Sequence, residues 1–137
     1  MGNLGNIMRS CAGFGIEDLA VIGNGADAYH PKTVRASMGA FFHLNIQYFG
    51  SFEDYTALYG KDREICTFML NGETGLYGTN IKKDGIYSLI FGNESSGLDK
   101  GTYKNAGRSV GIRHNDKIDS LSLPIAVGIA LFWFFGR

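Results

Sequence analysis

The sequence predicts one α/β domain in which a mostly parallel sheet is covered by helices on both faces. Apolar residues at helical spacing alternate along the chain with short apolar or alternating runs that favour strands. Such alternation is typical of parallel sheets, because a helix usually connects one strand to the next. With 137 residues, 45% of them apolar, the chain is long enough for one core and short for two.

The individual elements follow from local patterns. In chain order, they are a helix over about Gly5–Gly13, a strand over Asp18–Ile22, a helix over Lys32–Ala40, a strand over Leu44–Phe49, a helix over Ser51–Tyr59, strands over Ile65–Leu70, Tyr87–Phe91 and about Arg108–Arg113, and a last helix from about Ser120. Gly23-Asn24-Gly25 is expected to form a turn, Pro31 suits an early helical position, and Ser51 is expected to open its helix.

The apolar run from Leu121 to Phe135 is the longest in the chain. It is shorter than the roughly 20 residues that span a bilayer. We therefore expect a buried C-terminal helix, apolar on all sides, and no membrane association.

Composition weighs against several other classes of protein. Lys plus Arg and Asp plus Glu both number 13, which argues against a basic nucleic-acid tail, so any RNA contact would need a local patch or two subunits. Cys11 and Cys66 lie far apart and predict buried, reduced thiols rather than a disulfide framework. His30, His43 and His114 have no metal-ligand spacing, so no metal site is predicted.

Three segments could carry chemistry, because ligands of parallel sheets bind beyond the carboxyl ends of strands. A helix start at Asn3 would expose backbone donors to an anion, with Arg9 further along, although the pattern alone favours a solvated arginine. Gly92–Leu98 follows a strand directly and holds Glu94 between two glycines; a structural turn with an exposed acid explains it equally well. In the third segment, Ser120 before the apolar helix is explained by capping alone.

Gly23–Ala28 is a competing phosphate motif, since it matches a loose GxGxxA after a strand. His30-Pro31 interrupts the helix that should follow, and Glu53 and Asp54 lie too far along to serve as the acidic residue of such a site. A generic nucleotide-binding domain remains one hypothesis on this basis.

Taken in chain order, three segments resemble the three signatures of the SpoU (TrmH-like) RNA methyltransferases: Asn3–Arg9, Ile90–Leu98 and Ile112–Ala126. Ala36–Leu44 is similar to the family's segment before its middle strand, so the resemblance covers essentially the whole chain. A match to one signature would be weak evidence for the family, whereas matches to all three in the family's order are specific.

The resemblance implies a cytoplasmic enzyme that uses S-adenosylmethionine to methylate a ribose 2′-hydroxyl of RNA. tRNA comes ahead of rRNA as substrate, because a catalytic domain without an added RNA-binding domain is more similar to tRNA-modifying members. The resemblance also implies a C-terminal trefoil knot of the SPOUT type and a homodimer around it, which pattern rules would not propose because knots are rare. The strand that usually precedes the first signature in the family is absent from this sequence, so either the sequence is truncated or the sheet manages without that strand. A missing strand would expose strand edges, and poor solubility or compensating association is then expected.

Residue by residue, Arg9 is similar to the arginine that activates or positions the ribose hydroxyl, Asn3 to the asparagine beside it, and Glu94 to the acidic residue of the second signature. Ser120 of the third signature joins this catalytic set. An arginine is a poor base, since its guanidinium holds its proton in proteins, so Arg9 is expected to stabilise an alkoxide or hold a phosphate. The positions that match the family's cofactor pocket are Leu70, Gly92, Ile112, Ser120 and Leu121.

Two departures from the family pattern keep a further hypothesis open. Ser122 stands where the family usually has asparagine, and a hydroxyl offers less hydrogen bonding than an amide. Trp133 stands where an acidic residue is common, which indicates a more apolar packing or dimer surface. Ser122 and the absent first strand leave a catalytically weak or inactive knot protein that binds RNA or cofactor as the alternative.

Overall fold

The computed structural model describes residues 2–23, 27–93, 96–103 and 106–136. The chain divides into two compact units. The first unit comprises Met1–Tyr55 and Val127–Arg137, and the second comprises Thr56–Ala126. Both boundaries fall inside a helix, so no linker marks them in the sequence.

The described residues form helices and parallel strands in alternation. The helices are α1 (Gly2–Gly13), α2 (Pro31–Ala36), α3 (Phe52–Tyr59), α4 (Lys100–Tyr103) and α5 (Leu123–Phe135), with short 3-10 helices at Ala40–His43 and Leu76–Gly78. The strands are β1 (Asp18–Ile22), β2 (Asn45–Phe49), β3 (Glu64–Phe68), β4 (Thr74–Gly75), β5 (Tyr87–Ile90) and β6 (Arg108–Gly111). The predicted strands are confirmed, and β1 has the predicted bounds.

The predicted helix over Lys32–Ala40 is wrong in its last turn. The Ser37 hydroxyl donates to the Val34 carbonyl at 2.6 Å and accepts from the Phe41 N–H at 3.3 Å. Such side-chain bonds compete with the helical ladder. Met38 and Gly39 then take left-handed φ values of 52° and 89°, which end α2 and start the 3-10 helix.

In the first unit, β1 and β2 pair in parallel from Asp18 opposite Asn45 to Ile22 opposite Phe49. α1 packs on α2 and on the 3-10 helix at Ala40–His43. The core is formed by residues of these elements and of the loop before α2. Its buried members are Met8, Ala28 and Ala40, with Leu4, Ala12, Leu19, Phe41, Leu44 and Ile46 packed around them.

In the second unit, four strands form a parallel sheet in the order β4-β6-β3-β5. The central strand β3 buries Ile65, Cys66 and Thr67. Cys66 lies opposite Leu89 of β5 and Arg108 of β6, so the strands are in register across the sheet. The prediction of parallel strands is thus confirmed, although the hydrogen bonds define two sheets instead of one.

α5 is apolar on all sides but buries only one of them. Val127, Ala130, Leu131 and Phe134 are buried, whereas Ile129, Phe132 and Phe135 are exposed, Phe132 by 53%. The expected burial on all sides is therefore not reached within this chain. Of the helices that the structure describes, none combines the length and the hydrophobicity needed to cross a membrane.

The close packing of α1 on α2 depends on Gly5. A Cβ added there would lie 2.5 Å from the Cβ of Ala36 and 2.7 Å from the Thr33 carbonyl oxygen, both fixed by the backbone. Gly5→Ala is expected to lower the free energy of unfolding by about 1–2 kcal/mol, because overpacking of about 1–3 kcal/mol exceeds the helix-propensity gain of about 1 kcal/mol.

The matched control is Gly13→Ala in the same helix, where an added Cβ has no neighbour within 4 Å. This variant should be neutral or slightly more stable. Urea denaturation followed by circular dichroism measures both changes. Equal stability changes in the two variants would contradict the packing argument.

Candidate functional site

The first part of the candidate site lies in the second unit, where β3, β5 and β6 end. Parallel neighbours have their carboxyl ends at the same edge of the sheet. Leu70, Gly92 and Ile112 come within two residues after these three strands, so the structure brings the segments that carry them to one edge. Leu70 is 62% exposed, and Gly92 and Ile112 are half-buried.

Backbone contacts join the segment after β3 to the end of β6. The Met69 N–H donates to the Val110 carbonyl at 3.0 Å and extends the pairing of the two strands. Gly72 then approaches β6 so closely that an added Cβ would overlap the backbone of Val110 and Gly111. Because no side chain fits there, main-chain groups dominate this part of the edge.

The segment after β5 folds back on itself. The Asn93 carbonyl accepts the Gly97 N–H at 2.9 Å, while its side-chain oxygen accepts the Ser96 N–H at 2.7 Å and the Ser96 hydroxyl at 2.8 Å. Gly97 has a left-handed φ of 64°. A Cβ on Gly92 would overlap the Gly97 carbonyl group and the Leu98 nitrogen, so this cradle requires glycine. Glu94 lies outside the described residues.

The segment after β6 is closed by His114. Its Nδ1 lies 3.2 Å from the Ile112 carbonyl oxygen and its Nε2 lies 3.3 Å from the Asp119 carbonyl oxygen. Which of the two ring nitrogens donates depends on the tautomer of the imidazole. The His114 ring thus lies between Ile112 and the residue next to Ser120.

The predicted capping role of Ser120 is wrong. α5 begins at Leu123, and the Ser122 carbonyl accepts the Ala126 N–H at 3.0 Å, which places Ser122 at the N-cap. Pro124 lies in the first turn as expected. Ser120 is exposed and Leu121 is half-buried, and both precede the helix in the second unit.

Asn3 and Arg9 belong to the first unit, on α1. Asn3 is half-buried in the first turn, and Arg9 is exposed. Arg9 comes six positions after Asn3, which corresponds to about 9 Å along a helix axis. The structure therefore groups the predicted cofactor residues in one unit and these two predicted catalytic residues in the other.

The two cysteines take no part in either group. Burial raises the pKa of the Cys11 thiol to about 11, and burial likewise raises the pKa of the Cys66 thiol to about 11. Both thiols are therefore protonated at neutral pH and are poor nucleophiles. Within the described ranges, no three His, Cys, Asp or Glu residues are grouped as a metal ion would require.

Sequence reasoning did not identify Asn93 and His114 as positioning residues. Asn93 had a local signal, because an asparagine three residues before a serine and next to a glycine is typical of a side-chain-closed turn. His114 had none, since its partners lie two residues before and five residues after it and depend on the path of the loop.

Comparison with known proteins identifies the chain. The model of the SpoU rRNA methylase family matches residues 1–132. The chain belongs to the SpoU rRNA methylase family. This membership confirms the resemblance seen in the three signatures, which all lie within the matched residues.

Known RNA methyltransferases and a structure on tRNA methylation are similar over nearly the whole chain. A 23S rRNA guanosine 2′-O-methyltransferase of Bacillus subtilis is 26% identical, covering 98% of this chain and 54% of its own length. The crystal structure of an AdoMet-bound rRNA methyltransferase from Sinorhizobium meliloti is 31% identical with a TM-score of 0.89, covering 96% of this chain and 50% of that protein. A structure that addresses 2-OH methylation on tRNA is 29% identical with a TM-score of 0.85, covering 96% and 84%.

The chain spans about half the length of the curated relatives that it matches.

Proposed function

We propose that this chain is a methyltransferase domain that uses S-adenosylmethionine to methylate a ribose 2′-hydroxyl of RNA. The observation that carries the proposal is the meeting of the Leu70, Gly92 and Ile112 segments at one sheet edge, in a member of the SpoU family. A similar solved structure is an AdoMet-bound rRNA methyltransferase.

The cofactor site would be formed by the edge of the second unit. At Gly92 and at Gly72 another stretch of main chain occupies the position that a Cβ would take, so peptide groups rather than side chains would contact a purine at this edge. The exposed Leu70 side chain offers an apolar surface, and Ile112, Ser120 and Leu121 border the segment that His114 closes. These residues fit an adenosyl group. Bound S-adenosylmethionine supplies an electrophilic methyl group on a sulfonium.

Arg9 is the residue we propose to act on the ribose oxygen. Its guanidinium stays charged, so it stabilises the developing alkoxide or holds a neighbouring phosphate, while the proton leaves to a phosphate or to water. Asn3 in the first turn of α1 assists in holding the RNA. Glu94 and Ser120 complete the proposed catalytic set, with Glu94 assigned from the second signature alone.

The proposed substrate is RNA, with tRNA tested ahead of rRNA. Similar proteins of both kinds are known, since one solved structure addresses 2-OH methylation on tRNA and the Bacillus subtilis relative is a 23S rRNA methyltransferase. A tritiated-methyl transfer assay on bulk tRNA and on rRNA decides between the two substrates.

We also propose a homodimer through the exposed face of α5. Ile129, Phe132 and Phe135 recur every three residues and lie on one face of the helix. Exposed apolar faces of this kind mark interfaces between proteins. The trefoil knot and the cytoplasmic location belong to the same proposal and are supported by family membership.

The alternative is a catalytically weak member that binds cofactor or RNA. Ser122, which replaces the usual asparagine, favours it. In the structure, Ser122 stands at the N-cap of α5, where a serine is as suitable as an asparagine. Cofactor binding by calorimetry without methyl transfer to either RNA would establish this alternative.

Gly92→Ala tests the cofactor site. The added methyl group would collide with the backbone at Gly97 and Leu98, so affinity for S-adenosylmethionine is expected to fall at least roughly ten-fold in calorimetry. Gly75→Ala is the control in the same unit, because its Cβ would meet nothing within 4 Å. Unchanged affinity in Gly92→Ala would exclude this cradle as the cofactor site.

Arg9→Ala and Arg9→Lys test the catalytic role. Both variants should lower methyl transfer by about 100-fold or more, because neither side chain reproduces a planar guanidinium, and both should keep wild-type affinity for the cofactor. Arg63→Ala serves as the control, since Arg63 pairs with Asp62 and stacks on Tyr59. Transfer that survives in Arg9→Ala would remove Arg9 from the mechanism.

Phe132→Asp tests the homodimer. A carboxylate in a buried apolar interface is costly, so the dimer dissociation constant is expected to rise at least about ten-fold in sedimentation equilibrium. Leu58→Asp on α3 is the control, since Leu58 is also exposed but belongs to no proposed interface. A dimer that persists unchanged in Phe132→Asp would place the interface elsewhere.

A further inference from the structure

The first unit exposes a row of aromatic rings that the proposed mechanism does not use. The aromatic cluster consists of Tyr48, Tyr29, Phe41 and Phe42, each in contact with the next. Tyr29 and Tyr48 are stacked at 6.2 Å between centroids, Tyr29 meets Phe41 edge-on at 5.5 Å, and Phe41 meets Phe42 edge-on at 5.3 Å. Phe42 is 79% exposed and Tyr29 is 58% exposed.

The cluster is held in place by its surroundings. The Tyr48 hydroxyl accepts the Ala28 N–H at 2.8 Å, which ties β2 to the loop that carries Tyr29. Phe41 packs against the buried core. The left-handed turn at Met38 and Gly39 precedes Phe42, and Met38 holds this backbone conformation although it is disfavoured for a side chain. Such a disfavoured backbone conformation persists where the surrounding structure fixes it. The turn that precedes the exposed Phe42 ring therefore has a defined conformation.

Positive charge accompanies the rings. Lys32 and Arg35 of α2 are exposed, and no ion pair of either is found in the part of the chain that the structure describes. The nearby acid Asp27 accepts the Tyr29 N–H at 2.9 Å. Exposed rings and exposed cations that follow Tyr29 closely in the chain match unpaired nucleotides, since bases stack on aromatic faces and phosphates bind to Lys and Arg.

We infer that the aromatic cluster, with Lys32 and Arg35, binds unpaired nucleotides of the RNA substrate by base stacking. α1, which carries Arg9, packs on both α2 and the 3-10 helix of Phe42. RNA held on the cluster is thereby held by the elements next to the helix of the proposed catalytic arginine. This inference rests on the proposed function only for the choice of RNA as partner.

Binding of a short fluorescein-labelled single-stranded RNA, measured by fluorescence anisotropy, tests the inference without turnover. Phe42→Ala and Tyr29→Ala should each weaken binding by about ten-fold, because a stacked base contributes that much. Phe42→Trp should retain binding. The same RNA in a duplex should be bound less tightly by the wild type and should be less affected by the substitutions, since its base faces are covered.

Tyr77→Ala is the matched control, because Tyr77 is a 90% exposed ring of the second unit. Lys32→Ala and Arg35→Ala should each reduce the slope of the logarithm of the binding constant against the logarithm of salt concentration by about 0.7. Unchanged RNA affinity in both Phe42→Ala and Tyr29→Ala overturns the inference. A change only in self-association also overturns it, by assigning the cluster to a protein partner.

The two failures are distinguishable. RNA binding that depends on Phe42 without methyl transfer would overturn the proposed function and leave the inference standing. If Phe42→Ala transfers methyl groups with the wild-type KM for RNA, the inference is overturned and the proposed function stands. Absence of any RNA binding by the wild-type chain overturns the inference, whether or not S-adenosylmethionine binds.

Discussion

Close backbone approach at the ends of parallel strands determines the second unit. At the carboxyl edge of the sheet, Gly72 lies against the main chain of Val110 and Gly111, and Gly92 lies against Gly97 and Leu98. In each place another main chain occupies the position that a Cβ would take. The edge of the sheet is therefore built from peptide groups, and few side chains need to be fixed for its shape to persist.

In the first unit, the constraint is the packing of side chains. Gly5 allows α1 and α2 to approach, and the core of Met8, Ala28 and Ala40 forms on one side of α1. The rings of Tyr29, Phe41, Phe42 and Tyr48 extend from this core to the surface. One unit thus offers a main-chain cradle suited to a small molecule, whereas the other offers rings and cations suited to a polymer.

Much of the fold could be predicted from local patterns. β1 was bounded by its apolar run, and α3 by the hydroxyl of Ser51, which accepts the Asp54 N–H at 3.1 Å. The end of α2 could not be predicted, because Ser37 diverts the backbone by its own hydrogen bonds and Met38 takes a conformation unusual for its type. β4 and α4 are too short to show a period. The division into two units could not be predicted from the sequence, since its boundaries fall inside α3 and α5.

Some residues of the candidate site could be predicted from the sequence and others could not, for physical reasons. The order of parallel strands implies that residues after β3, β5 and β6 meet, so Leu70, Gly92 and Ile112 could be expected together. The reaction itself came from the three signatures, since no single spacing among these residues specifies methyl transfer. His114 depends on how a loop turns, which a linear pattern does not contain.

The two free cysteines can serve as probes of local opening in this molecule. Cys11 is buried in the first unit and Cys66 in the second, and a protonated thiol shielded from solvent reacts only when its surroundings open. The rate at which each thiol becomes available to a modifying reagent reports the opening of its own unit. Two native side chains thus allow the local stabilities of the two halves, and the effect of a ligand on each, to be read separately in one sample.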